Sequence, residues 1–227
     1  MQSSAKLPLL SAIEARALGV LIEKERTVPD TYPMSLNALV AGCTQKSARN
    51  PVMEVTEAEA QAALDRLKAL NLAVESSGGR VARYAHNTER VLQIPAHAVA
   101  LLALLLLRGP QTAGELRING ERLQKFAGIS AVETLLGELA HRQGGALVAE
   151  LPRRPGSREN RWAHLLCGVP LPEPAVATPT ALADSNHGSI GELAALRDEV
   201  ARLGTELAEL KAMMARLNAE LESLRKL

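Results

Sequence analysis

The sequence predicts a mainly α-helical chain with small β-hairpins, an α+β fold in which one unit is written twice and a long helix follows. Three observations predict it. Ser/Thr-x-x-Glu spacings stand ahead of apolar-periodic runs at Ser11/Glu14, Thr56/Glu59, Thr112/Glu115, Ser130/Glu133 and Ser189/Glu192. In that spacing each side chain satisfies an orphan backbone N–H of a helix start. Each set of three helix-like runs is then followed by two short strand-like runs around a turn. Finally, the C-terminal stretch carries apolar residues that alternate by three and four without a break.

The first helix runs from Ser11 to about Arg26, with Ile13, Ala17, Leu18, Val20, Leu21 and Ile22 as its apolar positions. A proline-marked loop, VPDTYP, ends it. Residues 35–43 form a short second helix with Leu36, Leu39 and Val40 on one face. Residues 56–70 form a third, with Ala60, Ala63, Leu64 and Leu67 inward. Residues 72–76 and 80–86 read as a hairpin around Ser-Gly-Gly. The order then returns: helices over 95–109, 112–120 and 130–142, and strands over 144–151 and 161–166. The run AVALLALLLL within 98–107 is too short for the ~20 residues of a membrane helix and reads as a helix buried in a domain. Helix, helix, helix, strand, turn, strand is the winged-helix pattern, here in tandem. The expected domains are 1–94 and 95–167. A proline-rich linker follows over 168–188, and a coiled-coil helix over 189–227.

In that last segment Leu193, Val200, Leu207, Met214 and Leu221 fall at heptad position a, and Leu196, Leu203, Leu210, Leu217 and Leu224 at d. A seam this narrow is a coiled-coil signature, and the helix would be ~50 Å long at 1.5 Å per residue. In a parallel pair Glu206 meets Lys211 and Glu220 meets Arg225, whereas antiparallel pairing sets acid on acid. The expected partner is a second copy of the chain, as a parallel homodimer, with a trimer as the other assembly the seam allows.

Composition narrows the function classes. Apolar residues are 47%, charged residues 22% and the net charge is +1, so no global field draws nucleic acid or membrane and any such contact must come from local patches. Cys43 and Cys167 form neither a CxxC nor a zinc spacing. No signal peptide is evident at the start, and the expected location is the cytoplasm. No paired carboxylates, catalytic triad, phosphate-loop or metal motif is present, so neither an enzyme nor a cofactor is expected.

The stretch LSAIEARALGVLIEKERTVPDTYPMSLNALVAGCTQKSARNPVM resembles the YceH-like bacterial family, whose hallmarks look like EAR-x-LG-x-LIEKE, TPDxYPLSLNAL and CNQKxxRxPVM. The resemblance runs from about Leu10 to Leu166. This chain departs from it at Val28, Met34, Thr44, Ala48 and Asn50. It implies a tandem winged-helix fold in a cytosolic protein, and no reaction.

Two kinds of segment carry candidate nucleic-acid contacts. In the corner CTQKSARN, Lys46 and Arg49 supply cations and Gln45, Ser47 and Asn50 neutral hydrogen bonds, a set that can hold phosphate oxygens without reading bases. The same residues also suit plain turn chemistry, capping helix ends. The wings carry Arg80 and Arg83 in the first unit and Arg153, Arg154, Arg158 and Arg161 in the second. Arginine-rich hairpins can enter a minor groove or track a backbone, and they also serve as solvated tips. The third helix of each unit is acidic, with Glu57, Glu59 and Asp65 in one and Glu133 and Glu138 in the other, and lacks a face suited to the major groove. The expected function is therefore DNA binding and regulation through basic wings. A protein–protein adaptor using the helix faces is the alternative.

Overall fold

The structure, a computed structural model, describes residues 9–76, 81–153, 156–169 and Met214. The chain divides into two units, Met1–Pro172 and Glu173–Leu227. Apart from Met214, an exposed helical residue, the proline-rich linker from Pro170 onward and the whole heptad seam lie outside the described residues.

Within the first unit the elements are α1 (Ala12–Thr27), a 3-10 turn (Pro29–Thr31), α2 (Leu36–Thr44), α3 (Glu57–Ala69), β1 (Ala73–Ser76), β2 (Arg83–His86), α4 (Thr88–Leu92), α5 (Ala96–Arg108), α6 (Ala113–Asn119), α7 (Ile129–His141), β3 (Val148–Leu151) and β4 (Arg161–His164). The result is a mixed α chain with two small antiparallel hairpins, β1–β2 and β3–β4.

Local chemistry accounts for most helix starts. Ser11, Thr56 and Thr112 each close a reciprocal capping box with Glu14, Glu59 and Glu115, and Ser35 caps α2 by accepting from the Ala38 N–H. Ser130/Glu133 does not form its box. Gly128 is the N-cap, and Ser130 lies inside the first turn of α7. The first buried position of that helix is Val132, and starting at Ile129 gives it a helical turn ahead of that anchor. α4 is an element that periodicity did not reveal. It is a single short helix stopped by Gln93 in the left-handed region.

The two halves follow one plan. In each, the first helix touches the second strand and the third helix touches the first strand. In each, the residue before the cap of the second helix makes a backbone bridge to the second strand: Met34 with Tyr84, and Gln111 with Trp162.

A single cluster of buried side chains runs through both halves. Its axis is α5, in which every residue from Ala98 to Leu107 is buried. α5 packs most extensively on α1, and also meets α4, α6 and β4. A helix covered on all sides has no polar face to keep, which is why its sequence reads as continuous grease. Gly19 makes the α1–α5 approach possible, because a Cβ there would sit 3.0 Å from the Leu107 side chain. No helix among the described residues is long and apolar enough to cross a membrane.

Candidate nucleic-acid interface

The corner between α2 and α3 is built around two buried arginines. Arg16, on α1, is 2% exposed and donates to the carbonyls of Cys43 (3.2 Å) and Pro51 (2.6 Å). It thus pins both ends of the corner to the first helix. Arg49 is 6% exposed. Its Nε donates to the Gly42 carbonyl at 3.1 Å, and its two terminal nitrogens reach the two oxygens of Glu23 at 3.1 and 2.5 Å. This bidentate pair is the strong form of an ion pair.

Arg49 is therefore withdrawn from the phosphate-contacting set that the sequence suggested. Its Nε and both terminal nitrogens are engaged inside the protein, which offsets the cost of burying the charge. Gln45 folds back on Ser47 at 3.0–3.1 Å, and the Asn50 N–H donates to the Leu107 carbonyl at 2.8 Å. Of the two cations in the corner, Lys46 is the exposed one. Cys43 is buried, and desolvation pushes its thiol up to about 11 despite nearby Arg16 and Arg49. A thiol that stays protonated is no nucleophile at neutral pH.

The first hairpin is held at its base. The His86 N–H donates to the Tyr32 hydroxyl at 2.7 Å, and the His86 ring meets Glu25 at 2.8 Å. Arg83 is exposed, and one of its terminal nitrogens donates to the Pro33 carbonyl at 2.9 Å, which sets the guanidinium beside the start of α2. There it borders an open groove of about 590 Å³ shared with Asn37, Glu57 and Gln61. Arg80 lies outside the described residues. On α3, Lys68 is engaged by Glu75 (2.6 Å) and Asp65 (2.9 Å), which raise its pKa.

The second hairpin gathers more cations. Arg153, Arg158 and Arg161 all fall on it, with Arg161 half-buried opposite Leu151 at the start of β4. Arg153 donates to the Asn160 side chain at 3.0 Å, and Asn160 in turn to Glu150 at 2.6 Å. Arg158 is exposed in the turn that follows Gly156 (φ +82). Neither Arg153 nor Arg158 forms an ion pair among the described residues. Arg154 lies outside them. Trp162 packs against the core.

The structure thus joins three of the second wing's four arginines on one hairpin and places Lys46 and Arg83 on the surface. Asn37 and Gln61 were not legible as neighbours of Arg83. They come from two different helices, and only the folded hairpin brings them to one groove. No group of three or more potential metal ligands occurs among the described residues.

Comparison with known proteins places the chain. Residues 10–157 match the family model described as "Protein of unknown function, DUF480". A UPF0502 protein of Dechloromonas aromatica is 56% identical over 198 residues, covering 86% of this chain and 93% of the relative. One from Methylibium petroleiphilum is 55% identical over 202 residues, covering 89% and 85%. One from Burkholderia pseudomallei is 62% identical over 168 residues, covering 74% and 71%. With its repeated three-helix-and-hairpin plan and these matches along most of its length, the chain belongs to the DUF480 family of UPF0502 proteins.

Proposed function

We propose that this protein is a non-enzymatic DNA-binding protein made of two tandem winged-helix units, which grips the duplex backbone with its hairpins. The observation that carries this reading is the second hairpin, where Arg153, Arg158 and Arg161 cluster and Arg153 and Arg158 have no carboxylate partner among the described residues. Arginines in this state release counterions from phosphate at little internal cost. The acidic surfaces of α3 and α7 argue against base readout by either helix, so binding is weakly sequence-selective. The heptad seam would pair two chains in parallel, doubling the wing surface and raising avidity without new contacts. A second reading, a protein–protein adaptor, is favoured by the exposed acids Glu57, Glu59 and Asp65 on α3, which suit a basic protein surface.

Binding to random duplex DNA across a salt series separates the two. The DNA-binding reading expects a steep fall of affinity with salt. It also expects a log–log slope shallower by about 3 for each wing engaged when Arg153, Arg154 and Arg158 become Ala, at about 0.9 per phosphate contact. No detectable binding at low salt favours the adaptor. For assembly, truncation near Ala183 is expected to lower the mass measured by light scattering to that of one chain, and an unchanged mass removes the coiled-coil dimer.

A further inference from the structure

The corner between α6 and α7, residues 120–128, takes the place in the second half that the corner between α2 and α3 takes in the first. The two use charge differently. In the first, Arg49 is buried on Glu23 and Lys46 is the exposed cation. In the second, Arg117 near the end of α6 and Arg122 and Lys125 in the corner are all exposed. None of these three forms an ion pair among the described residues. The stretch 116–130 that carries them holds one acid, Glu121.

The corner is also held in place. From α1, Arg26 donates to the Leu123 carbonyl at 3.4 Å and to the Ala96 carbonyl at 2.7 Å. The Leu123 and Gln124 N–H groups both donate to the Gly120 carbonyl at 2.8 Å. The Phe126 ring closes over Gly120, where a Cβ would sit 3.0 Å from it. A backbone already ordered lowers the entropy cost of binding.

The second hairpin lies at the other end of α6. Gln111, next to the cap of that helix, is bridged to Trp162 at 3.1 and 2.7 Å, and a Cβ on Gly114 would stand 3.8 Å from the Glu159 carboxylate. α6 has 7 residues, so ~10 Å of helix at 1.5 Å per residue separates corner from hairpin. That length covers about three base pairs at ~3.4 Å each.

We propose that Arg117, Arg122 and Lys125 form a second phosphate-binding surface, which seats the backbone of the same duplex that the second hairpin grips. The proposal rests on the DNA-binding reading and adds to it a site at the opposite end of α6. Ile118 is 66% exposed beside these cations and Ile129 44%. Three free cations nevertheless favour a polyanion over a protein partner, because the centre of a protein-binding patch is depleted of charge.

Full-length protein and a random-sequence duplex test it, with affinity measured across a salt series. Changing Arg117, Arg122 and Lys125 together to Ala is expected to make the log–log slope shallower by about 2.7 for each corner engaged, at about 0.9 per phosphate contact. A control triple, Lys46→Ala with Arg66→Ala and Arg90→Ala, removes the same charge from exposed positions outside this corner and both hairpins. It is expected to change the slope by no more than the ~0.9 of one contact. Should the corner triple fail to fold, Arg122→Glu alone is expected to weaken binding more than Arg66→Glu does, and an equal effect of the two overturns the site. A corner triple that keeps the wild-type slope, while the Arg153, Arg154 and Arg158 variant loses its share, overturns the corner site and leaves the DNA-binding reading standing. Equal loss in the control triple overturns it too, by reducing the effect to net charge. Wild-type protein without salt-dependent binding overturns both.

Discussion

Replacing Arg49 by Ala is expected to lower the stability of the protein by about 3–5 kcal/mol, the usual cost of breaking a buried ion pair from one side. The Glu23 carboxylate, only 12% exposed at its side chain, is left without its bidentate partner, and the Gly42 carbonyl loses the Nε donor. Urea denaturation followed by circular dichroism measures the effect. Glu23→Ala is expected to cost a similar amount, because it strands the guanidinium. The double variant is expected to fall well short of the sum, since both substitutions remove one shared interaction. A loss under about 1 kcal/mol would place the pair among surface salt bridges and undo the structural role assigned to Arg49. The contrast with Lys46 is informative. Lys46→Ala, at an exposed position, is expected to leave stability within about 0.5 kcal/mol.

Leu107→Ala is expected to cost about 2–5 kcal/mol, the range for truncating a buried leucine. Leu107 is 2% exposed and lies against Gly19 at the α1–α5 seam, so the void opens where the two halves meet. Because one buried cluster spans both halves, the loss should appear as a shift of a single cooperative transition in Met1–Pro172. Fluorescence of Trp162 reports the second half, and far-UV circular dichroism the whole. Coincident transitions in the wild-type and variant chains are the expected result. Two separated transitions, with only one moved by the substitution, would mean that the halves unfold as independent domains.

Which features were legible in the sequence follows from how local their causes are. The caps at Ser11, Thr56 and Thr112 need only residues three apart, and they form as the spacing predicts. The hairpins follow from strand-forming runs around turns, though shorter than expected: β2 starts at Arg83 and β3 at Val148. Ser130/Glu133 has the same spacing as the others, but its helix starts earlier. A cap signal competes with the demand to bring Val132 to the core, and only the packed structure ranks the two. α4 was missed because one short helix offers too few residues for a period to emerge.

The candidate site divides along the same line. That the second hairpin is rich in arginine is a property of composition, so it could be read directly. That Arg49 differs from Lys46 could not, since both are cations in one polar corner. Glu23 lies in α1 and meets Arg49 only once the corner folds over that helix. Likewise Arg16 reads as one polar residue in an apolar run. Its burial, with the Cys43 and Pro51 carbonyls as its acceptors, depends on segments far apart in the chain.

Element order, helix caps, the buried nature of the α5 segment and the basic character of the second wing were determined by the sequence by itself, because each rests on propensity, period or charge within a short stretch. Tertiary structure alone decided that both halves share one core along α1 and α5, that Arg49 is spent on Glu23, and that Arg16 pins the corner to α1. The physical reason is that burial and charge pairing depend on which distant residues meet, and no local pattern encodes the meeting.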